Sequence, residues 1–172
     1  MAKRKNKKSN IKLILTLIAL LFGLVAIASL FLPLVTITDT EIAYTGLEVA
    51  FGKSENALGG IISTKVLSTS ILSVVNYALV LVGLLFLIVG SVGKGKKIAI
   101  LISALAFIAS AVMFFLHVNF VMPSIPSGVE GEALQQALNA YRNALSIGIG
   151  AIVATISSAI SAVCCGIKLV IK

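Results

Sequence analysis

The sequence predicts an all-α membrane protein: a bundle of four transmembrane helices with a small extracellular β-hairpin-like cap in the first outer loop. Apolar residues make up 59% of the 172 residues and charged residues 12%, whereas about a quarter of a soluble chain is charged. Four stretches of more than twenty residues contain no Asp, Glu, Lys or Arg, and about 20 apolar residues suffice to cross a bilayer. We therefore expect one membrane-embedded domain.

The distribution of positive charge predicts which side of the membrane each loop faces. Lys and Arg collect in the short cytoplasmic loops of membrane proteins. Eleven of the fourteen cations lie in the two terminal segments and the middle loop, and all six acidic residues lie in the other two loops. Both termini are thus predicted to be cytoplasmic, in a multi-pass protein of the plasma membrane. The predicted segments are a basic N-terminus (1–12), TM1 (13–35), outer loop 1 with short strands (36–70), TM2 (71–92), a cytoplasmic loop (93–97), TM3 (98–122), outer loop 2 with an amphipathic helix (123–144), TM4 (145–167) and a cytoplasmic tail (168–172).

The first apolar stretch allows two interpretations, a cleaved secretion signal or a permanent first helix. Ala26 and Ala28 form an A-x-A pattern typical of a cleavage site before Ser29. The apolar run continues to Val35, however, and a signal core spans only about 7–15 residues. We expect an uncleaved helix. Its basic flank either binds anionic lipid or only sets the orientation of the helix, and the second effect is sufficient.

The first outer loop predicts short strands. Residues 35–40 and 42–51 are rich in Val, Ile, Thr, Tyr and Phe with partial two-residue alternation. Residues 52–60 are typical of a turn, and residues 61–70 are ambiguous, with a helical lead-in to TM2 as one interpretation.

The second outer loop predicts a helix that leads into TM4. Pro123 and Pro126 end TM3, and Ser127 with Glu130 fits a capping box. The apolar stripe that follows indicates an amphipathic helix that runs into TM4. This long helix either projects outward or bends, with Gly148 or Gly150 as the expected site of the bend.

TM4 carries a regular stripe of small residues that lets two helix backbones approach closely. The stripe is either an oligomer or partner interface or a face packed within the chain, and we favour the second interpretation. Its members, spaced four residues apart, are Gly150, Ala154, Ser158, Ala162 and Gly166.

A few polar residues in or beside the spans form a candidate outer polar cluster: Asn76, His117, Asn119 and Arg142. Ionisable groups inside membranes are functional candidates by default. The shallow position of His117 favours a wetted or hydrogen-bonded histidine over a ligand or proton carrier.

Nothing in the sequence predicts catalysis, a cofactor or a metal site. One histidine cannot build a metal centre without cysteine or carboxylate companions, and Cys164 and Cys165 lie at the opposite, cytoplasmic end. These cysteines are candidates for acylation, although packing is the commoner role. The net charge of +8 does not predict nucleic-acid binding, because no aromatic residues interleave with a basic groove.

The predicted architecture resembles that of the claudin-like tetraspans, with four helices, cytoplasmic termini and strands in a longer first outer loop. The run Tyr44-Thr-Gly-Leu-Glu48 is similar to the Gly-Leu-Trp stretch of that family's first loop, with Glu48 at the position of Trp and without the loop's cysteine pair. Small bacterial four-helix membrane proteins are equally similar in general character. The resemblance implies a fold and no activity.

These observations favour a non-enzymatic structural or interaction protein of the membrane. Its partners would be the lipid bilayer and either another membrane protein or a second copy, contacted through the outer loops and small-residue helix faces. The alternative is a channel-forming or accessory subunit of a transporter. A buried charge at mid-depth, which ion coupling usually needs, is absent from the sequence of the spans.

Overall fold

A computed structural model describes residues 2–38, 40–57, 62–92, 96–124 and 131–171. The fold is mostly helical with small antiparallel strands, as predicted. Its elements are α1 (Ala2–Ala28), β1 (Pro33–Ile37), β2 (Ala43–Thr45), α2 (Gly46–Phe51), β3 (Lys53–Ala57), β4 (Ile62–Leu67), α3 (Ile71–Val92), α4 (Lys96–Phe115), α5 (Gly131–Asn143), β5 (Leu145–Ile147) and α6 (Ile149–Val170), with 3-10 turns at Ser29–Phe31 and His117–Phe120.

Four of the helices are long and apolar enough to cross a membrane, which confirms that prediction and indicates a multi-pass membrane protein. Large apolar side chains lie exposed along these helices, such as Leu21, Leu85 and Leu105. Soluble monomers rarely expose apolar surface on this scale, so lipid is the medium that the helices fit. The candidate spans are Asn10–Phe31, Ile71–Val92, Lys97–Phe115 and Ile149–Val170.

The third and fourth spans differ from the predicted ranges 98–122 and 145–167. The helix of the third ends at Phe115, because the chain tightens into a turn in which the Asn119 N–H donates to the Leu116 carbonyl at 3.0 Å. The helix of the fourth begins only at Ile149, because the three residues of β5 join a sheet instead.

The chain forms two compact units. The helical unit comprises Met1–Ala28, Asn76–Phe114 and Val153–Lys172, and the sheet unit comprises Ser29–Val75 and Phe115–Ile152.

The helical unit is organised around the buried ring of Phe107 on α4. A Cβ atom on Gly83 of α3 would lie 3.1 Å from this ring, and one on Gly23 of α1 would lie 3.2 Å from it. The Ser103 hydroxyl donates to the Gly83 carbonyl at 2.7 Å and joins α4 to α3. The Ser161 hydroxyl of α6 donates at 3.0 Å to the carbonyl of Ala19 on α1. Close approach at glycines and hydrogen bonds between helices are the contacts that hold helices together in lipid.

The sheet unit contains a three-stranded antiparallel sheet in the order β2–β1–β5 and a separate β3–β4 hairpin. The central strand β1 pairs with a segment more than 100 residues away, with Val35 opposite Ile147. The next residue, Gly148, donates its N–H to the Leu34 carbonyl at 2.9 Å. A Cβ atom at Gly148 would collide with the Pro33 carbonyl oxygen, so a glycine is needed for this approach.

The strand predicted over residues 42–51 is wrong beyond Thr45. Residues Gly46–Phe51 instead form α2, because Thr45 and Glu48 build a capping box at the start of that helix. The helix ends at Gly52, which has a φ of 88° and thus a backbone conformation that favours glycine.

Other local predictions for the outer loops also change. The range predicted as a turn, 52–60, contains β3, and the ambiguous range 61–70 contains β4 rather than a helical lead-in. The amphipathic helix α5 exists, but it ends at Asn143 and does not continue into the fourth span. The predicted capping box of Ser127 and Glu130 lies outside the described residues.

Candidate functional site

Several polar side chains of the sheet unit contact one another in a group that we call the Lys53 cluster: Tyr44, Thr45, Glu48, Lys53 and Glu55. The Lys53 Nζ atom lies 3.2 Å from Glu48 Oε1 and 3.6 Å from Glu55 Oε1, and 5.3 Å from the centre of the Tyr44 ring. The second oxygen of Glu48 accepts the Thr45 backbone N–H at 2.8 Å. One carboxylate therefore both caps α2 and fixes β3 against it.

The electrostatics of this cluster favour its charged form. Burial alone would raise the pKa of Glu48, but hydrogen bonds from Thr45 and Lys53 outweigh it and the net pKa lies below the usual value. The hydrogen bond to Glu48 raises the pKa of Lys53. This ion pair is intact at neutral pH, and it joins β3 to the first turn of α2.

His117 lies in the sheet unit, outside the candidate third span. Its side chain is only 1% exposed, and neither ring nitrogen has a hydrogen-bond partner among the described residues. Burial lowers the pKa of His117 from 6.5 to about 4, so the ring is neutral at pH 7. Its edge contacts the Phe120 ring, with 6.4 Å between centroids. This is a packed, uncharged histidine rather than a wetted one.

Asn76 belongs to the helical unit and is completely buried. Its amide group lies 2.8 Å from the Ser110 hydroxyl of α4. In the orientation that satisfies both ends of the amide, the nitrogen donates to the Ser110 carbonyl at 3.2 Å and the oxygen accepts the Phe114 N–H at 3.3 Å. Asn76 therefore links α3 to α4, which is a structural role.

The remaining members of the candidate polar cluster, Asn119 and Arg142, are exposed residues of the sheet unit. Within the described chain, no hydrogen bond or ion pair joins Asn76, His117, Asn119 and Arg142 to one another. The cluster remains a prediction from the sequence, since the four side chains have different local environments.

The small-residue stripe is largely buried within the chain. Gly150 lies against the backbone of β1, where a Cβ atom would come 2.8 Å from the Pro33 carbonyl oxygen. Ala154, Ser158 and Ala162 are buried as well, but a Cβ atom on Gly166 would meet no atom within 4 Å. This burial supports packing inside the chain for all but the last position.

The two cysteines are also buried in the helical unit, and both are free thiols. The Cys165 sulfur lies 3.6 Å from the Ser103 hydroxyl. Such enclosure fits the packing role better than acylation. Among the described residues, no group of three or more His, Cys, Asp or Glu side chains lies close enough to hold a metal ion.

The polar contacts of Lys168 are not predicted by the sequence. Its Nζ atom donates to the Thr16 hydroxyl at 2.6 Å and to the Ser91 hydroxyl at 2.9 Å, and thereby connects α6 to α1 and α3. The residue is 9% exposed. The predicted fourth span ends at residue 167 and leaves Lys168 in the tail, whereas the candidate span Ile149–Val170 includes it. A lysine inside a span needs polar partners.

Comparisons of the chain with protein-family models, curated proteins and solved structures found no match.

Proposed function

We propose that this chain is a non-enzymatic interaction protein of the plasma membrane, with both termini in the cytoplasm. The sheet unit is its extracellular cap, and it binds another membrane protein or a second copy of the chain.

The observation that carries the proposal is the separation of charge between the two units. The sequence ranges of the helical unit contain eleven Lys and Arg and no Asp or Glu, and those of the sheet unit contain all six acidic residues with three cations. The helical unit thus contains the segments predicted to be cytoplasmic, and the sheet unit contains the loops predicted to be external. The rule that cations stay in the cytoplasm then supports an external sheet unit.

The helix α2 supplies a suitable contact surface. Val49 and Ala50 are buried, whereas Leu47 and Phe51 are exposed, Phe51 to 63%. Leu47 and Phe51 are four residues apart and share one face of the helix. The capping box of Thr45 and Glu48 fixes the start of that helix, and aromatic residues are frequent anchors for protein partners.

Site-specific photo-crosslinking in native membranes tests the contact. A photoreactive amino acid replaces Leu47 or Phe51, and the matched control carries it at Lys65, an exposed position on β4. We expect a discrete protein adduct from the two α2 positions and none from Lys65. Adducts of twice the mass of the chain would identify a second copy. Adducts with lipid only, or equal adducts at all three positions, would refute the proposal.

Accessibility of single cysteines tests the orientation. In a background with Cys164 and Cys165 replaced by alanine, cysteines are placed at Thr69 or at Lys97, both exposed. A membrane-impermeant maleimide should label the Thr69 position in intact cells and the Lys97 position only after permeabilisation. The opposite pattern would overturn the assignment of the sheet unit to the outside.

A further inference from the structure

A cavity in the helical unit combines positive charge with hydroxyl groups. Its volume is about 430 Å³, and its polar lining comes from Lys12, Thr16, Ser91, Lys97 and Lys168. These five residues belong to all four candidate spans, so the cavity is built by the whole bundle of this unit.

The Lys168 ammonium group is held in a fixed position at this cavity. The Thr16 hydroxyl donates its own proton to the Lys12 carbonyl at 2.8 Å, and the Ser91 hydroxyl donates to the Leu87 carbonyl at 2.7 Å. Both hydroxyl oxygens are therefore left to accept from Lys168, as their distances to its Nζ atom show. A cation ordered in this way loses little freedom when a ligand arrives.

The charge of the site favours an anion. Three lysines line one cavity, and the sequence ranges of the helical unit contain no Asp or Glu side chain. Lysine is a common phosphate-binding residue that acts as a point charge, and basic pockets between transmembrane helices bind phospholipid head groups.

The depth and the apolar part of the lining favour a lipid as the source of that anion. Lys12 and Lys97 lie at or near the first residue of their candidate spans, and Lys168 lies two residues before the end of its span. In a helix that crosses a bilayer, the ends of the apolar span lie near the lipid head groups. Leu13 and Ile100 line the same cavity, and Leu13 is exposed at its rim, where it can contact an acyl chain.

We propose that this cavity binds the phosphate group of an anionic phospholipid. The cluster of Lys12, Lys97 and Lys168 provides the charge, and the adjoining apolar residues contact the acyl chain. This proposal does not depend on what the sheet unit binds.

Native mass spectrometry of the full chain in detergent micelles tests the site by titration with phosphatidylglycerol, with phosphatidylcholine as the neutral comparison. We expect the wild type to retain phosphatidylglycerol selectively. Lys12→Gln and Lys97→Gln should each weaken retention about fivefold, since one lysine near a lipid surface contributes about that factor. Lys65→Gln, in the sheet unit, should leave it unchanged.

Lys12 and Lys97 are substituted rather than Lys168, because Lys168 is the most buried of the three lysines. This choice separates a loss of binding from a loss of folding. Circular dichroism of each variant checks that the helices persist, and Lys97→Arg should retain the lipid because it keeps the charge. Unchanged retention in both glutamine variants would overturn the proposal, as would an equal loss in Lys65→Gln, which would indicate unspecific surface charge. Displacement of the lipid by millimolar inorganic phosphate would assign the site to free phosphate and refute a lipid ligand.

Discussion

A methyl group added at Gly83 should destabilise the helical unit, because the residue lies against the tip of an aromatic ring. The added Cβ atom would be 3.1–3.2 Å from three atoms of the Phe107 ring, whereas carbon atoms attract best at about 3.5–4.0 Å. The ring is completely buried and cannot turn aside into solvent. The Ser103 hydroxyl is also bound to the Gly83 carbonyl at 2.7 Å, so separating the two helices would stretch this bond.

The magnitude follows from two opposing terms. Overpacking a tight core costs about 1–3 kcal/mol, and alanine is favoured over glycine in a helix by about 1 kcal/mol. Gly166 provides the control, since a Cβ atom there has no neighbour within 4 Å and only the helix term applies. The free energy of unfolding of the Gly83→Ala variant should therefore be about 1–3 kcal/mol lower than that of the Gly166→Ala variant.

The assay is equilibrium unfolding in mixed dodecylmaltoside and sodium dodecyl sulfate micelles, followed by circular dichroism because the chain has no tryptophan. Making room should rescue the variant: Phe107→Leu combined with Gly83→Ala should be more stable than the sum of the single changes predicts. Equal unfolding curves for the Gly83 and Gly166 variants would refute this account of the packing.

Three further predictions concern hydrogen bonding and charge. Asn76→Leu should lower the unfolding free energy by about 1 kcal/mol in the same micelles, and a double-mutant cycle with Ser110→Ala should assign that loss to the pair. Thr45→Ala removes one half of the capping box and should cost about 1 kcal/mol, which loosens α2 and raises hydrogen exchange at Glu48. The pKa of His117 is about 4 in the folded chain, compared with an ordinary value of 6.5. As the pH falls, the unfolded chain therefore binds a proton at this residue before the folded chain does. Stability should fall by up to about 3 kcal/mol as the pH drops from 6.5 to 4, and His117→Phe should flatten that slope in unfolding measured across pH.

The sequence predicts the long helices better than the short elements because their signal is local and redundant. More than twenty apolar residues in a row indicate a span whatever lies elsewhere in the chain. β5 has three residues and exists through its pairing with β1, a partner that no local pattern reveals. For α2 the signal was present: Thr45 and Glu48 have the spacing of a capping box. The Val, Tyr and Phe residues around them are typical of a strand, and this composition favours the wrong element there.

The polar residues show the same limit. Asn76 stands out in the sequence as a polar residue inside a span, but its partner Ser110 does not, because serine can bond to its own helix. Lys168 near the end of a span is typical of an orientation signal. Only the folded chain brings its ammonium group to Thr16 and Ser91, which come from two other helices.

The packing of α6 bears on where a partner can bind. A stripe of small residues allows either an interface between copies or packing within one chain, and a face already covered cannot serve both. Ser158 and its neighbours Ala154 and Ala162 are buried by the chain itself, and Ser161 beside them is bound to the Ala19 carbonyl of α1. Self-association through this face would require these contacts to break first. Leu47 and Phe51 on α2 are exposed without any such rearrangement, which is why the proposed contact is placed on that helix rather than on α6.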